Sequence, residues 1–406
     1  ERSPAVTVLS GPAAAPTAGA FYANLLGYEN CITVDMGGTS FDAGLIIDGQ
    51  CVTSTEGEIN RYKVALPSLD IATIGAGGGS IGWIDNGGLL HMGPQSAGAL
   101  PGPICYDRGG TLPTCTDANL ILGYLNPDFF AGGKIRLNIE KTRKMMEETG
   151  ARLNISPLET AAGMYRIIDM NMAQGVRQVS IERGYDPREF LIIVAGGAGP
   201  IHAGEICKEL EIPMFIVPEV SSIFCAAGML LGDLKHDYIR SYLVSLSRID
   251  TDRFLGLYNE MKETGIQTLI TEGISRDDIT FYPVLDLRYV GQYHEVQLPV
   301  SPEDAASCNF EKIRQAFHHE HNRLFGYALE EEDTEIEMIN VRLRVLGNTR
   351  KPEFMSETKT PVTLQTALKE RRQVYIPEAD KLREIPVYDG DMPLRGRNIT
   401  GPAVIE

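Results

Sequence analysis

Apolar runs broken by glycine organise the first half of the chain. After Gly11-Pro12, the stretch Ala13 to Leu26 reads as a helix, and Cys31 to Asp35 as a buried strand. A glycine turn follows. Asp42 to Ile47 is a second apolar strand, and Asp48-Gly49 is its hairpin turn. This strand–turn–strand unit predicts an antiparallel hairpin whose turn can face a ligand. Residues 74–115 are rich in Gly and Pro with little periodicity, which predicts a long, ordered, functional loop. A strong helix begins at Ser156-Pro157, with Pro at the first helical position, and runs through Thr160, Met164, Ile167 and Ile168 to about Gly184. Phe190 to Ala195 is another buried strand, and Gly196-Gly197-Ala198-Gly199-Pro200 leads from it into a helix. Phe215 to Pro218 reads as a short strand, Ser221 to Leu231 as helix, and the region from Tyr238 to Leu246 as a strand pair.

Beyond Ser247 the pattern changes. A charged amphipathic helix (Asp252 to Gly273) precedes an alternating strand (Thr280 to Leu298), a helix (Phe310 to Leu324), and strands at 335–347 and 372–391. The expected division is therefore a first domain over 1–247 and a smaller α+β domain over 248–406.

Composition narrows the function. At 406 residues, 43% hydrophobic and 22% charged, the chain can bury a large core. A net charge of −17 offers no field to attract a phosphate backbone, so a nucleic-acid partner is excluded. The seven cysteines form no CxxC pair and read as reduced thiols of a cytosolic protein. No apolar run approaches the ~20 residues that span a bilayer, so no membrane role is expected. The chain opens at Glu1 and stops at Glu406 straight after a strand-like GPAVIE, which reads as a piece of a longer protein.

The sharpest chemical signal is Thr33-Val34-Asp35-Met36-Gly37-Gly38-Thr39-Ser40-Phe41-Asp42. An acid ends a buried strand, two glycines let backbone N–H groups converge on an anion, and a hydroxyl and a second acid follow. Amides suit phosphate oxygens, and Asp35 and Asp42 suit Mg²⁺, which takes one or two protein carboxylates and keeps its waters. A plain hairpin turn needs neither two glycines nor two acids. The pattern resembles the second phosphate loop of the actin, hexokinase and heat-shock chaperone ATPase superfamily. In that superfamily a downstream strand running into glycines packs the adenosine; here Ile192 to Ala195 followed by Gly196, Gly197 and Gly199 has that form and that order. The third run, Gly75-Ala76-Gly77-Gly78-Gly79-Ser80, loosely echoes a dinucleotide fingerprint but lacks the long helix and the ribose-binding acid that should follow. It reads either as a catalytic or substrate loop or as a structural turn.

A more specific resemblance spans essentially the whole chain. Ser10-Gly11-Pro12-Ala13-Ala14, the DMGGTSFD turn, Ile74 to Ile81, Gly93-Pro94-Gln95-Ser96-Ala97-Gly98-Ala99, Pro101-Gly102-Pro103 with Cys105-Tyr106, Gly109-Gly110, Thr116-Asp117-Ala118-Asn119, Gly196 to Ala203, Arg288-Tyr289-Val290-Gly291-Gln292 and the closing GPAVIE are similar to the hydantoinase A / 5-oxoprolinase / acetone carboxylase family. The resemblance implies an α/β actin-like ATPase (ribonuclease-H-like) domain followed by a smaller α+β domain. It implies ATP and Mg²⁺ as cofactors, a small carbonyl or cyclic amide substrate, and a metal-containing hydantoinase B-like partner in a hetero-oligomer. Asp35 and Asp42 would organise Mg²⁺ and, with Gly78 and Ser80, serve catalysis. Gly37, Gly38, Thr39, Ser40 and Gly77 would hold phosphates, and Gly196, Gly197 and Gly199 the adenosine. The family's first phosphate loop, in an N-terminal domain, has no counterpart in this sequence, and the resemblance leaves turnover by this chain alone in question. Three functions follow as expectations: phosphorylation of a cyclic amide for hydrolysis, a ketone carboxylase component, or a nucleotide-binding regulatory or assembly subunit.

Other residues point less sharply. His318-His319-Glu320-His321 invites a metal reading, but adjacent helical histidines point in different directions, which favours a solvated face. His202 suits a substrate or phosphate contact, or a capping or packing role. Asp117 and Asn119 suit a helix cap or a cleft lining. Cys105 and Cys115 have no histidine nearby in sequence and read as buried rather than nucleophilic. The run Glu330 to Asp333 reads as a solvated acidic loop.

Overall fold

The computed structural model describes residues 14–54, 57–59, 62–64, 68–330, 334–351, 362–392, 394 and 396–406. The residues Ser10 to Ala13 and Glu331 to Asp333 named above lie outside them. The chain forms two compact units, Glu1–Leu231 with Glu353–Glu406, and Gly232–Pro352.

The first unit is built on a sheet whose strands run β8–β7–β1–β2–β3, with β4 also paired to β2: β1 is Cys31–Met36, β2 Phe41–Ile47, β3 Gln50–Cys51, β4 Ile71–Ile74, β7 Leu191–Ala195 and β8 Phe215–Ile216. β1 pairs parallel with β7 and antiparallel with β2. The continuous apolar character of β1 and β7 follows from burial on both faces. Ile32, Val34, Ile192 and Val194 pack under α4 (Pro157–Val179) and α5 (Gly199–Glu209). Their alternates Cys31, Ile193 and Ala195 pack under α1 (Ala14–Leu25) and α6 (Phe224–Leu231). The β2–β3 turn is made by Asp48 and Gly49, both with positive φ (50° and 71°), which suits the right-handed strand twist. α4 starts at a capping box of Ser156 and Glu159.

Residues 74–115 differ from the expected loop. They hold a hairpin of β5 (Ser80–Ile84) and β6 (Leu90–Ser96). Glycine and proline within these strands hide their alternation. α2 (Cys115–Ile121) and α3 (Ile139–Ala151) follow.

The second unit is an antiparallel sheet in the order β9–β12–β10–β11: β9 Leu234–Ser245, β10 Ile279–Tyr289, β11 Val296–Pro299 and β12 Ile336–Gly347. Its core also takes side chains from α7 (Thr251–Thr271) and from the helix Phe310–Phe325. The expected strand pair at 238–246 is part of one long strand, Leu234–Ser245, which pairs with β12 on both sides of an irregularity between Ser241 and Val244.

The compact units divide the chain differently from a single break near 247. The second begins at Gly232, and residues beyond it return to the first. The return has a packing cause. β13 (Leu368–Ile376), β14 (Lys381–Tyr388) and β15 (Val404–Ile405) form a small sheet whose Tyr375 is buried in the first unit's core. The Tyr375 amide donates to the Leu122 carbonyl at 2.8 Å, and the Tyr124 hydroxyl donates to the Tyr375 carbonyl at 3.0 Å.

Candidate functional site

Three glycine turns of the first unit meet at the end of β1. The first joins β1 to β2. Asp35 and Asp42 face each other across the antiparallel register, and the Gly37 amide closes the turn on the Ser40 carbonyl at 3.1 Å. Gly37, Gly38 and Thr39 are exposed. The amides of Gly38 and Thr39 have no hydrogen-bond partner among the described residues, and a Cβ added at Gly37 or Gly38 would meet nothing within 4 Å. An open turn with unpaired donors can receive an anion.

The carboxylates beside it repel each other. Burial first, and then the charge of Asp35, push the Asp42 carboxyl above its usual range, against hydrogen bonds from Thr73 (2.5 Å) and Ser40 (3.3 Å). The Cys225 thiol donates to Asp35 at 3.0 Å; burial and that carboxylate push it up to about 12, so it stays protonated. Among the described residues no group of three or more His, Cys, Asp or Glu side chains is placed to hold a metal. Two opposed carboxylates with room for waters and an anion still fit Mg²⁺, which rarely has an all-protein cage.

The second turn follows β7. Gly196 has φ 81° and lies so close to β1 that a Cβ would come within 2.1 Å of the Met36 carbonyl oxygen, so only glycine fits. The Ala198 amide donates to that same carbonyl at 3.3 Å. Gly197 is exposed, the amides of Gly197 and Gly199 lack partners among the described residues, and α5 starts with no side-chain cap. A cavity of about 760 Å³ adjoins this turn, lined by Gly197, Pro200, Ile201, Gly204, Tyr124 and Tyr375, among others.

The third turn, Gly75 to Ser80, lies behind the first. Gly77, Gly78, Gly79 and Ser80 are buried. Gly78 and Gly79 donate to the carbonyls of Gly37 and Gly38 at 3.0 and 2.7 Å, and the Gly77 amide donates to the Ser80 hydroxyl at 2.8 Å. The Gly78 carbonyl accepts both the amide and the hydroxyl of Thr116 at 2.8 Å. Its donors are engaged within the protein, which is the geometry of a buttress.

Sequence reasoning missed one cluster. His202 is fully buried; its Nδ1 lies 2.6 Å from Asp169, and its Nε2 lies 3.1 Å from the Asn119 amide and 3.5 Å from the Cys115 sulfur. Burial, the largest single influence, would lower the imidazole's pKa, but Asp169 and Cys115 together outweigh it and raise it to about 10. These residues are up to 87 positions apart, and no local spacing announces them. Asp117 is engaged in capping: with Thr114 it forms a capping box on α2, and its carboxylate also accepts the amides of Ile104 and Cys105.

The expected solvated face at 318–321 needs correcting. His319 is exposed, but His318 and His321 are buried. His318 takes the Tyr289 hydroxyl at 2.6 Å, and His321 contacts Gln292 and the Tyr327 carbonyl at 2.9 Å each. An amphipathic helix hides two of its histidines because they lie three positions apart, on one face.

Residues 1–238 match the family described as Hydantoinase/oxoprolinase, and residues 250–406 match the Hydantoinase/oxoprolinase C-terminal domain. The chain belongs to the hydantoinase/oxoprolinase family. It is 38% identical over 405 residues to the caprolactamase subunit alpha of Pseudomonas jessenii, covering 98% of this chain and 57% of that protein. It is 34% identical over 416 residues to the acetophenone carboxylase gamma subunit of Aromatoleum aromaticum, covering 98% of this chain and 56% of that one. The crystal structure of the ATP-dependent caprolactamase from Pseudomonas jessenii superposes with a TM-score of 0.83 at 36% identity, covering 97% of this chain and 57% of that chain. This family member thus spans somewhat over half the length of these two relatives. No helix among the described residues is long and apolar enough to cross a membrane.

Proposed function

We propose that this chain is the MgATP-binding part of an enzyme that activates the carbonyl oxygen of a cyclic amide for hydrolysis. One observation carries the reading: an exposed turn of unpaired amides with two opposed carboxylates at its mouth. The residues fit the group. The unpaired Gly38 and Thr39 amides would receive phosphate oxygens, Ser40 donates to Asp42, and Asp35 and Asp42 would hold Mg²⁺ with water completing its shell. The unpaired amides of Gly197 and Gly199, at the dipole-positive end of α5, would add donors for the same anion, and the adjoining cavity has room for a nucleoside. Gly77, Gly78 and Ser80, whose donors are engaged within the protein, would support the first turn from behind rather than bind the nucleotide.

Bound MgATP would supply the phosphoryl group that turns a poor leaving oxygen into a good one. The chain's own part is positioning and charge stabilisation, which dominate phosphoryl transfer. Protonated Cys225 donates to Asp35 and so keeps that carboxylate aimed along the strand end. A hydantoinase B-like partner completes hydrolysis; the caprolactamase relative is itself named as a subunit. A ketone carboxylase component is the second reading, favoured by the similarity to the acetophenone carboxylase gamma subunit.

The test is MgATP-dependent ADP release by the chain assembled with its partner, given either a cyclic amide or a ketone with bicarbonate. Release stimulated by the amide alone supports hydrolysis, and release needing ketone and bicarbonate supports carboxylation. MgATP binding with no stimulation by either would leave a regulatory subunit.

A further inference from the structure

The three glycine turns are joined in a ring of hydrogen bonds, which can be followed residue by residue. The Ala198 amide, next to the start of α5, donates to the Met36 carbonyl at the end of β1. One residue on, the Gly37 carbonyl accepts the Gly78 amide at 3.0 Å. The Gly78 carbonyl in turn accepts the Thr116 amide and hydroxyl in the first turn of α2. One helical turn further along α2 is Asn119, and one turn along α5 from Gly199 is His202. Their side chains meet at 3.1 Å. That contact closes the ring.

The closing pair is built for rigidity. His202 is 0% exposed and Asn119 2%. On its other side His202 is anchored to Asp169 of α4 at 2.6 Å, and its ring stacks on Tyr165 at 5.1 Å between centroids. Asn119 Oδ1 and Asp169 Oδ2 are buried without partners. Turning the Asn119 amide by half a turn would present Oδ1 to a protonated Nε2 but leave Nδ2 where Oδ1 now has no partner, so neither orientation satisfies the whole amide. Groups this buried are costly to leave unsatisfied, so the cluster tolerates few arrangements.

We propose that His202, paired with Asn119, is a positioning residue that fixes the spacing between the amides of the Gly38–Thr39 turn and those of Gly197 and Gly199. It touches no ligand. It holds α2 and α5 at a set separation: α5 begins at the Gly196–Gly199 turn, and α2 is hydrogen-bonded through Thr116 to Gly78, which in turn holds the Gly37 carbonyl of the first turn. The importance of that separation for ligand binding rests on the nucleotide reading above; the mechanical claim does not.

Two variants separate this role from general stability. Asn119→Leu opens the ring and leaves the His202–Asp169 pair. Asp169→Asn leaves the ring and weakens the pair. Amide hydrogen exchange on the chain reads the mechanical claim. In Asn119→Leu, exchange at Gly78, Gly79 and Ala198 should quicken at least tenfold while Ile32 to Val34 and Ile192 to Val194 stay protected. Asp169→Asn should not single out the three turn amides. Turn amides unchanged in Asn119→Leu, or quickened only together with β1 and β7, would overturn the proposal. The second measurement is affinity for ATP against adenosine by calorimetry. Asn119→Leu should lose about tenfold more for ATP, whose phosphates need both turns, than for adenosine; an equal loss for both would count against positioning. If even the unaltered protein binds neither molecule while the exchange pattern holds, the ring stands and the nucleotide reading falls.

Discussion

The turn at 37–40 and the loop at 75–80 have similar compositions and lie in contact, yet they are opposites. In the first, glycine leaves open space: a Cβ at Gly37 or Gly38 meets nothing, and two amides have no partner among the described residues. In the second, glycine permits contact: a Cβ at Gly77 would come 2.6 Å from the Thr39 nitrogen, and the amides of Gly77, Gly78 and Gly79 are all engaged. Glycine richness signals that backbone comes close to something. Which amides remain unpaired says whether that something is the protein or a ligand.

The largest effect should come from exchanging the two environments. Gly77→Ala forces a methyl into the backbone of the neighbouring turn, and overpacking of this kind costs about 3 kcal/mol. Gly38→Ala should cost less than about 1 kcal/mol, because the site is open. Urea midpoints of the two variants should therefore differ clearly. Equal midpoints would mean that the buttress is no more confined than the open turn. Asp35→Asn should follow in size: MgATP affinity falls about 100-fold, or about 2.8 kcal/mol at 1.4 kcal/mol per tenfold, with the unfolding midpoint little changed. A variant that binds MgATP normally would reduce the turn to a hairpin.

Much of this was legible before any coordinates. β1, β7, the Asp48-Gly49 turn and the Ser156-Pro157 helix start follow from apolar runs and local turn and capping chemistry, and all are present. The hairpin at 80–96 was not legible, because its glycines and prolines erase the period-two pattern. Nor was the return of 368–405 to the first unit, since its anchor, Tyr375 under Leu122, is a contact between distant positions. For the site, Asp35, Asp42, Gly37, Gly38 and Gly196, which the sequence grouped, lie near one another, because each ends or follows a strand of one sheet. It had no means of separating exposed amides from engaged ones, so Gly78 and Ser80 looked equivalent to Gly38. The His202 cluster stayed hidden because its members come from three helices.

Hydroxyls offer a finer contrast between the same two regions. Ser80 is buried, accepting from Gly77 and donating to Gly75 at 3.4 Å, so Ser80→Ala should cost about 1–2 kcal/mol of stability and leave the affinity for MgATP within a factor of two or so once folded. Thr39 is exposed, and Thr39→Ala should do the reverse. Thermal melts with and without MgATP distinguish them; a Thr39→Ala protein that melts early and binds normally would contradict the division.

The smallest effect is a dependence on pH, and its sign is fixed by Asp42. Burial, and then the charge of Asp35, raise its folded pKa above the unfolded value. The folded state therefore holds the proton more tightly than the unfolded chain does. Above the folded pKa the carboxylate pair is charged and destabilising. As pH falls through that pKa towards the unfolded value, this group's contribution to stability rises, opposite to the usual carboxylate trend. Mg²⁺ offers the pair a different counter-charge, so saturating Mg²⁺ should flatten the rise and stabilise most at neutral pH. Asp42→Asn should abolish both responses and raise the metal-free melting temperature slightly, whereas Ser80→Ala should preserve both. Melting curves across the acidic range, with Mg²⁺ and with chelator, carry the comparison. A metal-free profile that falls with acid at this site, in the difference between the parent and Asp42→Asn, would mean that the two carboxylates do not repel. The turn at 37–40 would then lose the feature that distinguishes it from its buttress as a site for a metal-bound anion.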